Sequence, residues 1–411
     1  MQGAQPLAEI AVALVVQNQG VPQDMRVAGF GRSLASAGYR VEIIAPTRPG
    51  QLMEERNSNW CLHRFARPPE GPGIWGYTRE VGVSLYRIRR TWPRANLSRT
   101  WCILHLCNPP DVLWLAFAGR SRRVVRIFDQ HDLSPELYLA KGGRLGSVPH
   151  RVLLRMERLA YQWADLVIAP NNSYAKVAVS RGRVSANKVH VVRNAPLPDV
   201  WKSAAPRAEL REGADFVLCY VGSIGVQDGV DELIRTMAWL RQVDPSRRYL
   251  CLIAGSGDAL GDLRELARSL GIEDSIRFLG WISDVTRLRD IVASADIGVE
   301  PCPSNAFNDS STMIKLTEYL AAGRPVLAYD LPEHRVTVGD AGVLVSPALG
   351  FQGLGAAVVA MARDRGRLAQ LTEMAGRRLH HAGLSHASSV QALLRVYGHA
   401  SEVGRSRGAP W

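Results

Sequence analysis

Seven apolar residues in a row, Ile10 to Val16, run straight into a polar turn, Gln17 to Asp24. The run is far short of the roughly 18–20 residues that cross a bilayer. No Lys or Arg stands ahead of it, as a secretory leader would require, so it reads as a first buried strand. Behind the turn, Met25 to Ala37 has helical spacing and stops at Gly38, and Arg40 to Ala45 is the next strand. Strand, helix and strand in quick succession specify a parallel sheet covered by helices on both faces. The turn carries no GxGxxG, so the usual dinucleotide fingerprint is missing where it would stand.

The same rhythm continues. Ile103 to Leu106, Val124 to Phe128, Leu166 to Ala169 and Val189 to Val192 read as strands, with a helix over Arg151 to Ala164. Prolines 196, 198 and 206 then mark a segment without periodicity, after which strands recur near Phe216, Leu250, Ile276, Ile297, Val326 and Val343. The expectation is an α/β protein of two Rossmann-like domains. The first spans 1–195, a linker 196–215, the second 216–385, and a last helix and tail 386–411.

Charge is unevenly spread. Residues 1–195 carry 27 Lys and Arg against 13 Asp and Glu, whereas 196–411 carry 23 against 25. Such asymmetry points to an anionic partner, membrane lipid or nucleic acid. The densest part lies between Gly71 and Trp101. Arg79, Arg87, Arg89, Arg90, Arg94 and Arg99 alternate there with Trp75, Tyr77, Tyr86, Trp92 and Trp101, against one acid, Glu80. Basic side chains mixed with interfacial aromatics suit an anionic bilayer surface; a solvated basic helix with a few core aromatics is the plainer alternative. No nucleic-acid recognition motif accompanies the charge, so nucleic acid is not expected as a partner. The six cysteines form no CxxC and read as reduced core residues of a cytosolic protein. Cys102, His105 and Cys107 lack a second ligand pair, so no metal is expected.

Asn308 to Gly323 (NDSSTMIKLTEYLAAG) is the richest stretch. Asp309 and Ser310 suit a helix N-cap, and Gly323 ahead of Arg324-Pro325 suits a stop. On that helix Met313, Leu316 and Leu320 gather on a buried side, with Ser311, Lys315 and Glu318 nearly opposite. The free amides at Ser311, Thr312 and Met313 and the ammonium of Lys315 would attract a diphosphate. Glu318 would accept two ribose hydroxyls. The same face also fits a solvated Lys–Glu pair. Two further strands end in Gly222-Ser223 and Gly255-Ser256, read as room for a nucleotide against the backbone, and Trp281 follows a third. In the first half the strand ends carry Asn108-Pro109-Pro110-Asp111 and Asp129-Gln130-His131-Asp132, where ligands of open α/β sheets bind.

Glu300-Pro301, Ser311–Lys315–Glu318-Tyr319 and Gly323-Arg324-Pro325-Val326 resemble the C-terminal signature of GT-B glycosyltransferases of family 4. Gly222-Ser223, Gln227 to Asp231, Ala254 to Gly257 and Phe278 to Trp281 are similar to the same family in the same order. Asn108 to Asp111 and Asp129 to Glu136 resemble a bacterial subgroup that builds surface polysaccharides, including transferases similar to WbuB. The resemblance runs from about Ile10 to Leu344. It implies two domains with a cleft between them, a terminal helix crossing back onto the first, and a retaining, metal-independent transfer from a nucleotide-sugar. A polyprenyl-diphosphate-linked saccharide would be the acceptor, at the inner face of the plasma membrane.

By that resemblance Gly222, Ser223, Gly255, Ser256, Trp281, Ser311, Thr312, Met313, Lys315 and Glu318 hold the donor, and Arg26, Asn108 and Asp111 lie on the acceptor side. His131, Asp132, Lys315 and Glu318 are the expected catalytic set, with no cofactor beyond the donor substrate. The sequence departs from the family at Ser223 and Asp228, where an Arg and a Lys often face the diphosphate, and at Ser310, where a Glu often stands. Lys315, a helix N-terminus and Arg26 would then have to neutralise the phosphates. A nucleotide-sugar epimerase of the same fold and a basic nucleic-acid-binding protein are the rival readings.

Overall fold

The computed structural model describes the chain except residues 1–9, 58–59, 70, 72, 93–100, 120–122, 199, 202–203 and 410–411. It divides into two units. One comprises Met1–Leu139, Gly143–Arg193 and Ser389–Trp411, the other Ala140–Gly142 and Asn194–Ser388.

The first unit contains β1 (Ala11–Val16), β2 (Arg40–Pro46), β3 (Glu54–Arg56), β4 (Trp60–Phe65), β5 (Cys102–Cys107), β6 (Val124–Asp129), β7 (Leu166–Ala169) and β8 (Val189–Val191). Its helices are α1 (Met25–Ser36), α2 (Gly73–Thr91), α3 (Ser134–Ala140), α4 (Val148–Trp163) and α5 (Asn172–Ser180). The strands form one sheet in the order β3-β4-β2-β1-β5-β6-β7-β8, parallel apart from β3. Alternate residues of β1 face opposite layers, as a pleated strand requires. Val12, Leu14 and Val16 pack with Val27, Phe30 and Leu34 of α1, and Ala11, Ala13 and Val15 lie in the core that includes Ile88 and Trp92. Burying side chains of this size contributes about 1.5–3 kcal/mol each. Asp24 starts α1 by accepting the Val27 amide at 2.9 Å. The C-terminal helix supplies Leu393, Val396, Tyr397 and Ala400 to the same core.

The second unit contains β9 (Phe216–Val221), β10 (Tyr249–Ala254), β11 (Ile276–Gly280), β12 (Ile297–Glu300), β13 (Val326–Tyr329) and β14 (Gly342–Val345). Its helices are α6 (Ala208–Arg211), α7 (Val230–Val243), α8 (Leu260–Ser269), α9 (Val285–Ser294), α10 (Ile314–Ala321), α11 (Pro332–Val338), α12 (Gly350–Arg363) and α13 (Arg365–His381), and α14 (His386–Ser406) closes the chain. The sheet runs β11-β10-β9-β12-β13-β14, all parallel. Leu218 and Tyr220 share a core with Leu233 and Met237 of α7, while Val217, Cys219 and Val221 pack with Leu316 and Leu320 of α10.

Both sheets are the expected parallel α/β layers. In each, strand order reverses beside a central strand, at β1/β5 and β9/β12. The carboxyl ends of those strands are where such sheets bind ligands. Edge strand β3 and its neighbour β4 lie outside the elements anticipated from sequence. Instead of one helix over Asn308–Gly323, there is a 3-10 turn, Asn308–Ser310, an extended Ser311, and α10 beginning after Met313.

Candidate active site

Gly222 follows β9 with φ +149°, and a Cβ there would lie 3.0 Å from Cε and 3.3 Å from Nζ of Lys315. Only glycine satisfies both demands. Gly255 is crowded from another direction: a Cβ would stand 1.9 Å from the Gly222 carbonyl oxygen, and one on Gly257 would stand 2.2 Å from that of Ile224. At Gly255 and Gly257 the missing side chain makes room for the loop after β9. Gly222 and Ile224 donate to the Ala254 and Ser256 carbonyls at 3.0 and 3.1 Å, fastening the two loops together.

Lys315 does not lie on a solvent-facing helix side. It is buried, with Nζ 2.8 Å from Glu300 Oε2 at the end of β12 and donating to the Tyr220 hydroxyl at 2.9 Å. The ammonium also sits 4.3 Å from the centre of the Tyr220 ring, a cation–π distance. Tyr220 in turn donates to the Ser223 carbonyl at 2.5 Å. Burial opposes the charge on Lys315, but Glu300, Tyr220 and Asp228 hold its pKa well above the ordinary lysine value. A full positive charge is thus fixed directly beneath the Gly222–Ser223 turn. Asp228, where relatives often place a cation, accepts the Gly225 amide at 2.8 Å and holds the loop instead.

The approach to α10 differs from the expected cap. Asp309 and Ser310 belong to the 3-10 turn, and Met313, half-buried against both core layers, occupies the N-cap position of α10. Ser311 is buried and donates its hydroxyl to the Phe307 carbonyl at 2.7 Å, so that hydroxyl is turned into the fold. Thr312 Oγ1 lies 3.4 Å from Glu333 Oε2. Glu318 is partly buried and its carboxylate has no hydrogen-bond partner among the described residues. Burial pushes its pKa up to about 7, with Lys315 opposing the rise. Asn308 donates to the carbonyls of Gln227 at 3.0 Å and Pro303 at 2.8 Å, fixing the loop after β9 against the segment before α10. Trp281 is 59% exposed, so it is not a core residue.

In the first unit one carboxylate organises the site. Asp129, fully buried at the end of β6, receives Arg26 through Nε at 3.0 Å and Nη2 at 2.7 Å. His105 Nε2 and His131 Nε2 lie 3.2 and 2.9 Å from its Oδ2. Burial would raise its pKa, but Arg26 and His131 hold it well below the usual carboxylate range. Arg26 also donates to the Val192 carbonyl at 2.9 Å. Its guanidinium, expected to help neutralise phosphate, is paired within the fold. Asn108 donates to Asp111 at 2.7 Å and to the Asp132 carbonyl at 2.8 Å, and accepts the His131 and Asp132 amides. The two loops picked out from sequence are thereby one structure. Asp111 is buried, and burial pushes its carboxyl up to about 6.

Sequence reasoning assigned no role to Tyr220 or Tyr397, read Glu300 and Asp129 only as parts of motifs, and set His105 aside as a metal ligand. The available signal was an acid ending a largely apolar strand, in Ile297–Glu300 and Val124–Asp129, because a buried charge demands a partner. His105, mid-strand in β5, has Nδ1 2.9 Å from the Tyr397 hydroxyl. That pairing of residues far apart in sequence had no local signature.

On α2, Val81, Ser84, Ile88 and Trp92 face inward, and Trp75, Tyr77 and Tyr86 are 84%, 46% and 58% exposed. Arg79, Arg89 and Arg90 are exposed as well, Arg90 donating to the Tyr86 hydroxyl at 2.9 Å. Arg87 is half-buried and bonded to the Ala66 carbonyl. Arg94 and Arg99 lie outside the described residues, Trp92 is core, and Trp101 is half-buried. The basic, aromatic stretch therefore contributes three exposed aromatics, not five. No helix among the described residues is long and apolar enough to cross a membrane.

Residues 24–195 match the family described as Glycosyltransferase Family 4, and residues 215–364 match Glycosyl transferases group 1. The D-inositol 3-phosphate glycosyltransferase of Actinosynnema mirum is 34% identical over 319 residues, covering 72% of this chain and 71% of the relative. The chain spans about half the length of several other curated relatives it matches, including 55% of the corresponding enzyme of Salinispora arenicola. Among solved structures, Anabaena Alr3699/HepE in complex with UDP-glucose superimposes with a TM-score of 0.70 at 16% identity, covering 95% of this chain and all (100%) of that one. WaaG, a glycosyltransferase involved in lipopolysaccharide biosynthesis, gives 0.69 at 16% identity, covering 94% and 100%.

Proposed function

We propose, for a chain that belongs to the GT-B glycosyltransferases of family 4, that it transfers a sugar with retention from a nucleotide diphosphate donor to a lipid-linked saccharide. The carrying observation is the Lys315 ammonium fixed beneath the Gly222–Ser223 turn, with the unpaired Glu318 carboxylate one turn further along α10. Breaking the bond between sugar and diphosphate leaves negative charge on the phosphate and an oxocarbenium-like sugar. A preorganised cation at the phosphate stabilises that leaving group more than the ground state, which is what accelerates the step. Glu318 holds the ribose, and Asn108, His131 and Asp132 form the acceptor-side loop. The named complex of Alr3699/HepE with UDP-glucose supports a nucleotide-sugar donor.

The lipid-linked acceptor is supported by the exposed Trp75, Tyr77, Tyr86, Arg79 and Arg90 on α2, which suit an anionic bilayer. On this reading the protein works at the inner face of the plasma membrane, in surface-polysaccharide synthesis. The role of WaaG in lipopolysaccharide synthesis supports that direction. Incubating the protein with a panel of nucleotide-sugars and bacterial lipid extract, with mass spectrometry of the products, tests the reading. A lipid gaining one sugar residue is the expected result. Conversion of the donor sugar without transfer would favour an epimerase and sink the proposal.

A further inference from the structure

We propose that Glu54, Cys61 and His63 form a zinc-binding site at the edge of the first unit's sheet, with Glu42 orienting the histidine. Cys61 and His63 are two apart on β4 and share a face. Register places Glu42 of β2 opposite Cys61, and Glu54 of β3 opposite His63, so four ligand-type side chains cluster on adjacent strands. Glu42, Cys61 and His63 can each offer a ligand atom within 4.8 Å of one another.

His63 is the independent pointer. It is 2% exposed, its Nε2 lies 2.8 Å from Glu42 Oε2, and its buried Nδ1 has no hydrogen-bond partner among the described residues. A carboxylate on one ring nitrogen, with the other left as a bare lone pair, is how metal-bound histidines are held. That Nδ1 stands 3.9 Å from Glu54 Oε2, and Cys61 Sγ stands 3.8 Å from Glu54 Oε1. Zinc bond lengths to S, N and O give a tetrahedron with edges of about 3.4–3.6 Å, a few tenths of an ångström below these two separations to the Glu54 carboxylate. Arg56, 2.5 Å from Glu54 Oε1, leaves Oε2 for the metal. A thiolate with an imidazole selects zinc over magnesium or calcium.

The site also answers why β3 exists. Its sequence is Glu-Glu-Arg, it pairs only with β4, and it buries no apolar side chain. A metal shared between β3 and β4 would clamp that edge. The other Cys–His–Asp group, His105, Cys107 and Asp129, already holds the Arg26 guanidinium on its carboxylate and would set a second cation beside the first.

The full chain, stripped with chelator and titrated with zinc chloride, should bind a single equivalent by calorimetry and release protons as it does. The cobalt form should show a thiolate charge-transfer band. Cys61 is partly exposed, so Cys61→Ser should fold and abolish that band. Glu54→Gln should weaken zinc binding, and Glu42→Gln should weaken it about 10- to 100-fold. Zinc should slow hydrogen exchange across 54–56 in the wild type only. Absence of stoichiometric zinc uptake, or a charge-transfer band that survives Cys61→Ser, would overturn the assignment.

Discussion

The ammonium of Lys315 lies 2.8 Å from the Glu300 carboxylate and both side chains are buried, so α10 and the end of β12 are joined by an ion pair under the Gly222 turn. Removing one partner strands the other charge in the interior, which costs roughly 3–5 kcal/mol. Lys315→Met should therefore destabilise the fold by about that much in urea denaturation, and adding Glu300→Gln should recover most of it. Both variants should still lose affinity for a nucleoside diphosphate far more than for the nucleoside. Equal losses for the two ligands in the stabilised double variant would remove Lys315 from the phosphate site.

Glu318 has a carboxyl lifted to about 7 by burial, whereas an unfolded glutamate ionises near 4.3. The ionised form is the ribose acceptor, so donor affinity should fall as pH drops from about 8 to 6. Because the folded state holds this proton more tightly, the group's contribution to stability is complete below about pH 4.3 and is lost progressively as pH rises to about 7. Glu318→Gln should weaken the donor roughly tenfold, flatten the pH dependence of binding, and leave stability near pH 8 unchanged or slightly raised. Calorimetry across pH on both proteins reads all three.

Gly255→Ala tests whether that glycine serves the fold or a ligand. The added methyl would stand 1.9 Å from the Gly222 carbonyl oxygen and 3.3 Å from Cγ1 of Ile224. Overpacking of this kind costs typically 1–3 kcal/mol, sometimes more, and here it also displaces the turn above Lys315. Thermal stability and donor affinity should fall together. A variant of unchanged melting temperature that loses only the donor would mean the methyl met the nucleotide instead.

Asp129→Asn removes the charge that Arg26, His105 and His131 converge on, leaving a buried guanidinium uncompensated at roughly 3–5 kcal/mol. The aspartate is ionised well below its ordinary pKa, so its stabilisation is complete above about pH 3.9 and is lost as pH falls further. Acid unfolding of the wild type should accordingly begin at higher pH than the unfolding of a chain in which this pair were only superficial. The Asn variant should lose that acid dependence along with its stability at neutral pH.

The parallel sheets were legible because continuous apolar strands such as Phe216–Val221 and Ile10–Val16 state their burial outright, and the glycines and prolines between them state their ends. The start of α10 was not. Asp309 and Ser310 are good caps by residue type, but Asn308 is drawn to the Gln227 and Pro303 carbonyls, and that tertiary bond delays the helix to Ile314. With Ser311 outside the helix, the wheel that set Lys315 opposite the core lost its reference. The lysine instead follows Glu300, which no helical periodicity could reveal. Edge strand β3 went unseen for a plainer reason, since Glu-Glu-Arg carries no strand pattern at all.

The exposed side of α2 makes the last prediction. Trp75, Arg79, Tyr86 and Arg90 recur at helical spacing on one face, with Trp75 84% exposed, while Val81, Ile88 and Trp92 hold the opposite face in the core. An indole that protrudes without neighbours is unfavourable in water and favourable at a lipid headgroup boundary. Each arginine near an anionic surface adds about 1 kcal/mol, screened beyond a Debye length of about 8 Å at physiological salt. Arg87 is bonded to the Ala66 carbonyl, so reversing it would mix a folding effect with a binding one. The cleaner variant is Trp75→Ala with Arg79→Glu and Arg90→Glu. It should keep its melting temperature and its nucleotide affinity, release from anionic vesicles at lower salt than wild type, and transfer less sugar to a lipid acceptor than to a soluble analogue. Wild-type protein that fails to sediment with anionic vesicles at low salt, or a variant that sediments as well as wild type, would show that this face meets something other than membrane.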